Sequence, residues 1–100
     1  MVLTFSPEQF AILHTGFAVG DPSDAFEPHE MPVPVDSVAQ LHRLFLTAHD
    51  NSLELSPALA NVLEDCFVVG AEGDPRVSDY DYKVILNRLK QAQDKEADAK

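Results

Sequence analysis

The sequence predicts an all-α protein of four helices arranged as two helix-loop-helix repeats, and three observations predict it. Helix starts are written as Ser-Pro caps, apolar residues follow them at helical spacing, and the first unit reappears fifty residues downstream. In the first helix Ser6 takes the N-cap and Pro7 the first helical position, where a missing N–H costs nothing. Gln9 stands three residues after Ser6 to complete a capping box, and Phe5 can staple to Phe10. Phe10, Leu13 and Phe17, with Ile12 and Val19, then supply an apolar face until Gly20 offers a left-handed stop.

A second helix is expected from near Asp36, after the Pro-rich run Met31-Pro32-Val33-Pro34. Val38, Leu41, Phe45 and Ala48 form its stripe, Leu44 widens it, and Asp50-Asn51-Ser52 ends it. The third repeats the opening grammar with Ser56 and Pro57, and its expected buried face is Leu59, Val62, Leu63, Cys66, Phe67 and Val69, ending at Gly70. The fourth starts at Ser78 with Asp81 three residues on, has Val77 to staple on Tyr82, and carries the stripe Tyr82, Ile85, Leu86 and Leu89. Past Lys90 there is no apolar face, so 93–100 is expected to fray as a polar tail. No segment reads as a strand; an isolated bridge between Val33 and Val77 is the only β pairing suggested. The result is one domain over 1–92, with repeat units at 6–49 and 56–91 and a long acidic loop at 20–36.

The repeat extends into the helix interiors. Leu13 and Leu63, Phe17 and Phe67, Val19 and Val69, and Gly20 and Gly70 all stand at the offset of Ser6-Pro7 from Ser56-Pro57. After the loops the offset shortens to 44, pairing Val38 with Tyr82, Leu41 with Ile85 and Phe45 with Leu89. The first loop therefore carries 50 − 44 = 6 extra residues. Neither unit can bury its stripe alone, whereas two facing each other can.

The formal net charge is −10, with 7 Lys and Arg against 17 Asp and Glu. Residues 1–75 hold one cation, Arg43, against twelve acids, so nearly all of the negative field comes from them. Such a field repels nucleic acid, whose binding runs on Lys and Arg, and attracts a basic partner. A single cysteine forms no internal disulfide, there is no 18-residue apolar run, and no charged-then-apolar leader opens the chain. Together these point to a cytoplasmic protein without a membrane span.

Catalytic and cofactor signatures are missing: no Walker motif, no GxSxG, no HExxH and no CxxC. Cys66 sits among Val62, Leu63 and Val69 with Glu64 and Asp65 beside it, surroundings that raise a thiol pKa and suit a core residue better than a nucleophile. His42 and His49 share a helix face but stand two turns apart, too far for one metal ion, and His14 and His29 add no ligand spacing. The expectation is a non-enzyme with no metal and no cofactor.

Residues 59–90 resemble the second half of a degenerate EF-hand pair. Laid on 70–81, the EF-hand loop puts Gly70 first, Glu72 third, Asp74 fifth, Pro75 in place of the sixth-position glycine, Val77 eighth, Ser78 ninth and Asp81 last. Gly70 lacks a side-chain oxygen, Asp81 is shorter than the usual Glu, and the loop at 20–37 keeps none of the ligand spacing. The resemblance implies a helical pair with a groove and does not imply calcium binding.

The long loop carries the candidate site. Asp21, Asp24, Glu27 and Glu30 recur every third residue, with His29 among them, and Phe26 and Met31 are apolar residues that solvent does not favour. Two readings follow: an acidic binding loop with Phe26 or Met31 as anchor, or a lid in which both tuck back over the helices. The function expected is a small protein-binding adaptor, regulator or inhibitor that takes a basic segment through an apolar helical groove and this loop. The alternatives are a nucleic-acid mimic or immunity-type inhibitor of a nuclease or DNA-binding protein, and, disfavoured by the ligand set, a divalent-cation sensor.

Overall fold

A computed structural model describes residues 2–24 and 26–98 of the chain. The order is β1 (Val2–Thr4), α1 (Pro7–Gly20), two single 3-10 turns (Pro22–Asp24 and Pro28–Glu30), α2 (Val35–Thr47), β2 (Ser52–Glu54), α3 (Pro57–Ala71) and α4 (Asp79–Asp98). The fold is all-α, with four helices and one minor two-stranded sheet. No helix among the described residues is long and apolar enough to cross a membrane.

Both Ser-Pro starts form. The Gln9 backbone N–H donates to Ser6 Oγ at 3.1 Å and that of Leu59 to Ser56 Oγ at 3.2 Å, each cap satisfying one of the free donors of a helix start. Asp81 N–H donates likewise to Ser78 Oγ at 3.1 Å ahead of α4. The capping box of α1 is not closed: the Gln9 amide instead donates to Asp81 Oδ1 at 3.3 Å, tying α1 to α4. The second helix starts behind Pro34 without a side-chain cap, and Pro can stand there because its ring already holds φ near the helical value.

The sheet corrects the expectation that no strand forms. β1 and β2 pair antiparallel with Val2 opposite Glu54, Leu3 opposite Leu53 and Thr4 opposite Ser52. Three-residue strands are too short for alternation to register, yet Leu3, Phe5, Leu53 and Leu55 are all buried just ahead of the two caps. Val33 and Val77 form no bridge; the isolated bridge joins His49 to Ser52. It closes a turn in which Asp50 and Asn51 have φ of 55° and 58°, the two positive values a type I′ hairpin turn needs. His49 thus lies beyond α2, which ends at Thr47, and does not share a helix face with His42.

The repeat is an approximate two-fold. In the sheet, Leu3 faces its own counterpart Leu53, while Val2 and Thr4 face the counterparts of each other. Where α1 crosses α3, a Cβ on Gly20 would stand 1.8 Å from the Cys66 carbonyl oxygen, and one on Gly70 would stand 1.8 Å from that of Gly16. Cys66 is the counterpart of Gly16, so the two contacts are reciprocal, as an isologous interface requires. Gly20 is not the left-handed stop expected of it, and Gly70 does not end α3, which runs to Ala71; among the described residues only Gly73, with φ of 78°, is a glycine with positive φ. Gly20 and Gly70 are helical, and they are glycine because two backbones meet there.

The same crossing corrects two core assignments. Leu13, Gly16, Phe17 and Gly20 repeat at i, i+3, i+4 and i+7 and are buried, as are Leu63, Cys66, Phe67 and Gly70. Val19 and Val69 fall off that stripe and are 63% and 69% exposed. α3 is the central helix, packing mainly on α1 and α4 and also on α2. Between α1 and α2 the space is filled by rings, with Phe45 standing 5.5 Å from Phe10, 5.4 Å from Phe17 and 4.5 Å from His14 between centroids. The counterpart of Phe10 is the small, fully buried Ala60, which lets α4 lie closer on α3. Arg88 holds β1 to α4, with its guanidinium donating to the Thr4 carbonyl and lying 4.8 Å over the Phe5 ring.

α4 does not stop where its apolar face was expected to end. It runs to Asp98, Ala92 is buried, and the Gln93 amide donates to Glu64 Oε2 at 2.7 Å. Of the expected polar tail 93–100, residues 99 and 100 lie outside the described residues.

Candidate functional site

The long loop is anchored at its first residue. Asp21 caps the end of α1, and its carboxylate accepts from the Ser23 backbone N–H at 2.9 Å, from Ser23 Oγ and from His42 Nε2 at 2.7 Å. Burial disfavours the charged carboxylate, but the hydrogen bonds from Ser23 and His42 outweigh it and hold Asp21 below the ordinary aspartate value. His42 projects from α2 and also lies against the Phe17 ring at 4.7 Å, so the loop start is pinned to the second helix. Each 3-10 turn begins with Pro, and each stretch is closed locally, Phe26 N–H donating to the Pro22 carbonyl at 3.2 Å and Glu30 N–H to that of Glu27 at 2.8 Å.

This course separates the candidate residues. Asp21 is turned inward and occupied. Met31 and Val33 are half-buried and pack against the core. Glu27 and Glu30 are exposed, Glu30 facing His29 at 3.6 Å. Phe26 is 46% exposed. The side chain of Asp24 lies outside the described residues.

Phe26 faces a groove of about 560 Å³ between the loop and the outer side of α3. Pro22, Phe26, Pro32 and Val33 form one wall and Val68 and Val69 the other, with Gly20 and Cys66 between them. Among the described residues the charged groups along it are Glu64 and Asp65, with no Lys or Arg. Asp65 is exposed, while Glu64 is held by Gln93 from α4. The Cys66 thiol is buried, and burial, helped by the nearby charges of Asp21 and Asp65, pushes its pKa up to about 11. The buried thiol packs in the core beside the crossing of α1 and α3.

Sequence reasoning missed Glu64, Asp65 and Val69 as groove residues. The signal was present: with Leu63, Cys66, Phe67 and Gly70 assigned to one face, Val69 has to fall outside it.

In the 72–78 connection, Asp74 accepts from Arg76 Nε at 3.0 Å, from Nη2 at 2.8 Å and from its backbone N–H at 2.9 Å. These bonds lower the Asp74 pKa to about 2. Asp81, the last position of the EF-hand-like pattern, accepts from Ser78 and Gln9. Among the described residues no three His, Cys, Asp or Glu side chains come together as a metal site.

Fold and groove together define a class: a duplicated two-helix unit folded about an approximate two-fold, with an acid-edged apolar groove on one side of α3. No family model, no curated protein and no solved structure matches the chain.

Proposed function

We propose that the chain is a small non-enzymatic protein-binding module, an adaptor, regulator or inhibitor, that receives a basic segment of a partner protein in the groove between the 21–34 loop and α3. The observation that carries this reading is the pairing of a half-exposed Phe26 with a mostly exposed Val69 across a groove whose charged groups, among the described residues, are acidic. Apolar side chains held open to solvent on either side of a groove are suited to grip an apolar anchor, where most binding energy concentrates. The acids at the edge add orientation and a faster encounter more than residence time.

The probe is a fluorescein-labelled helical peptide with a central Leu pair and Lys residues on either side. The reading predicts binding that weakens on Phe26→Ala or Val69→Ser at any salt concentration. Charge reversal of Asp65, the exposed acid lining the groove, should slow association at low salt while changing dissociation little. Binding that is indifferent to both apolar substitutions and lost in high salt would overturn the groove and leave recognition by carboxylates alone, as in a mimic of phosphates.

A further inference from the structure

The exposed side of α3 carries apolar residues between two acids, Asp65 in the middle of the helix and Glu72 at its C-cap. Asp65, Val68 and Val69 stand at i, i+3 and i+4 on one face of the helix, and Glu72 follows as its C-cap. Val68 borders two clefts at once. One is the groove under the acidic loop. The other, of about 590 Å³, opens between the end of α3 and the start of α4, with Val77 and Tyr82 as its apolar wall and Glu72 and Asp79 at its edge. The cation beside it, Arg76, is already engaged by both oxygens of Asp74. Among the described residues neither Glu72 nor Asp79 has an ion-pair partner, and both are exposed.

We infer that the partner segment is a basic amphipathic helix laid along α3 across both clefts. Its apolar centre sits over Val68 and Val69, and Lys or Arg at its two ends meet Asp65 at one end and Glu72 with Asp79 at the other. This rests on the protein-binding reading above and adds to it a second contact region and a register. From Asp65 to the C-cap Glu72 the chain advances roughly 10 Å along the axis of α3, the distance that a partner helix covers between residues i and i+7. Apolar anchors at the centre with charges at the ends are the usual arrangement when a helix docks in a groove, and the all-acid edge selects the sign of those charges.

The test uses the full chain and the same peptide, built with its Lys residues seven apart around the Leu pair, and reads fluorescence anisotropy at low and high salt. Glu72→Gln with Asp79→Asn removes the second cleft's charges. Glu8→Gln with Glu54→Gln removes two exposed charges before α3 begins, and so controls for the general field. The second-cleft pair should weaken binding about three- to tenfold at low salt, the size of losing two exposed charge contacts, against less than about twofold for the control pair. If the two pairs act alike while Phe26→Ala and Val69→Ser still weaken binding, the second contact region is wrong and the groove reading stands. If the apolar substitutions also have no effect, or the peptide does not bind, both fall.

Discussion

Gly70→Ala puts the crossing of α1 and α3 to a test in which two physical effects have opposite signs. Gly70 lies inside α3, where replacing glycine by alanine ordinarily stabilises a helix by up to about 1 kcal/mol. The new Cβ would meet backbone only: Gly16 O at 1.8 Å, Gly20 N at 2.6 Å and Gly16 C at 2.8 Å. Ordinary contact begins at 3.4 Å, so the nearest approach falls short by 3.4 − 1.8 = 1.6 Å. No rotamer relieves it, so the two helices have to move apart. Leu13, Phe17, Leu63 and Phe67, all fully buried, pack around this crossing. A gap of even 0.5–1 Å forfeits roughly a quarter to a half of a dispersion contact. Overpacking at a flexible site costs about 1–3 kcal/mol, and a rigid backbone clash belongs at or above the top of that range. After the helix gain is subtracted, Gly70→Ala should destabilise by about 2–4 kcal/mol, a large share of the 5–15 kcal/mol typical of a domain. Gly20→Ala should behave alike, since its Cβ would meet Cys66 O at 1.8 Å. The assay is urea unfolding followed by far-ultraviolet circular dichroism, comparing midpoints at unchanged slope. A variant as stable as the parent, or more stable, would refute the close crossing and the two-fold built on it.

Other substitutions probe separate parts of the account. Phe67→Ala should cost about 3–5 kcal/mol in the same assay, because the ring is fully buried and stacks on Tyr82 at 5.6 Å; a loss under about 1 kcal/mol would place it outside the core. Asp21 is held below its unfolded value, so its contribution is complete above about pH 4 and fades as pH falls through the folded value. Asp21→Asn should therefore lose about 0.5–2 kcal/mol at pH 7 and show a shallower acid limb than the parent; parallel acid limbs would contradict the latch. Cys66 has the opposite linkage, since its folded value of about 11 exceeds the ordinary thiol value of 9.0 and the unfolded thiol ionises first. Stability should then fall by about 2–3 kcal/mol as pH rises between those values, and Cys66→Ala should remove that part of the alkaline loss. An alkaline limb unchanged by Cys66→Ala would show that the thiol is not shielded.

Four helices could be read from the sequence because their starts are local chemistry: Ser6-Pro7 and Ser56-Pro57 act within four residues and form as expected. The failures are non-local. Nothing in Gly20 or Gly70 says whether a glycine ends a helix or admits a neighbouring backbone; only the opposed carbonyl decides, and it lies about fifty residues away. The same partnership made strands of Val2–Thr4 and Ser52–Glu54, too short to show a period of their own. In the loop, the acids at every third residue were visible as a pattern, but the pattern does not tell which carboxylate is occupied. His42 engages Asp21, and the local turns leave Glu27 and Glu30 outside. Phe26 and Met31 looked equivalent and part company because Met31 packs on the core while Phe26 turns to the groove. The α3 side of that groove was hidden by assigning Val69 to the buried stripe with its neighbours.

Mapping the docked peptide onto the chain tests the central claim most directly. With the chain labelled with nitrogen-15 and titrated by the Lys- and Leu-bearing helical peptide, amide shifts should concentrate at Phe26, Asp65, Val68, Val69, Glu72 and Tyr82. Leu46, an exposed apolar residue on α2 outside both clefts, should stay in place. Shifts centred on Leu46, or spread evenly over the acidic residues with Phe26 and Val69 unmoved, would contradict a groove that receives a basic helix.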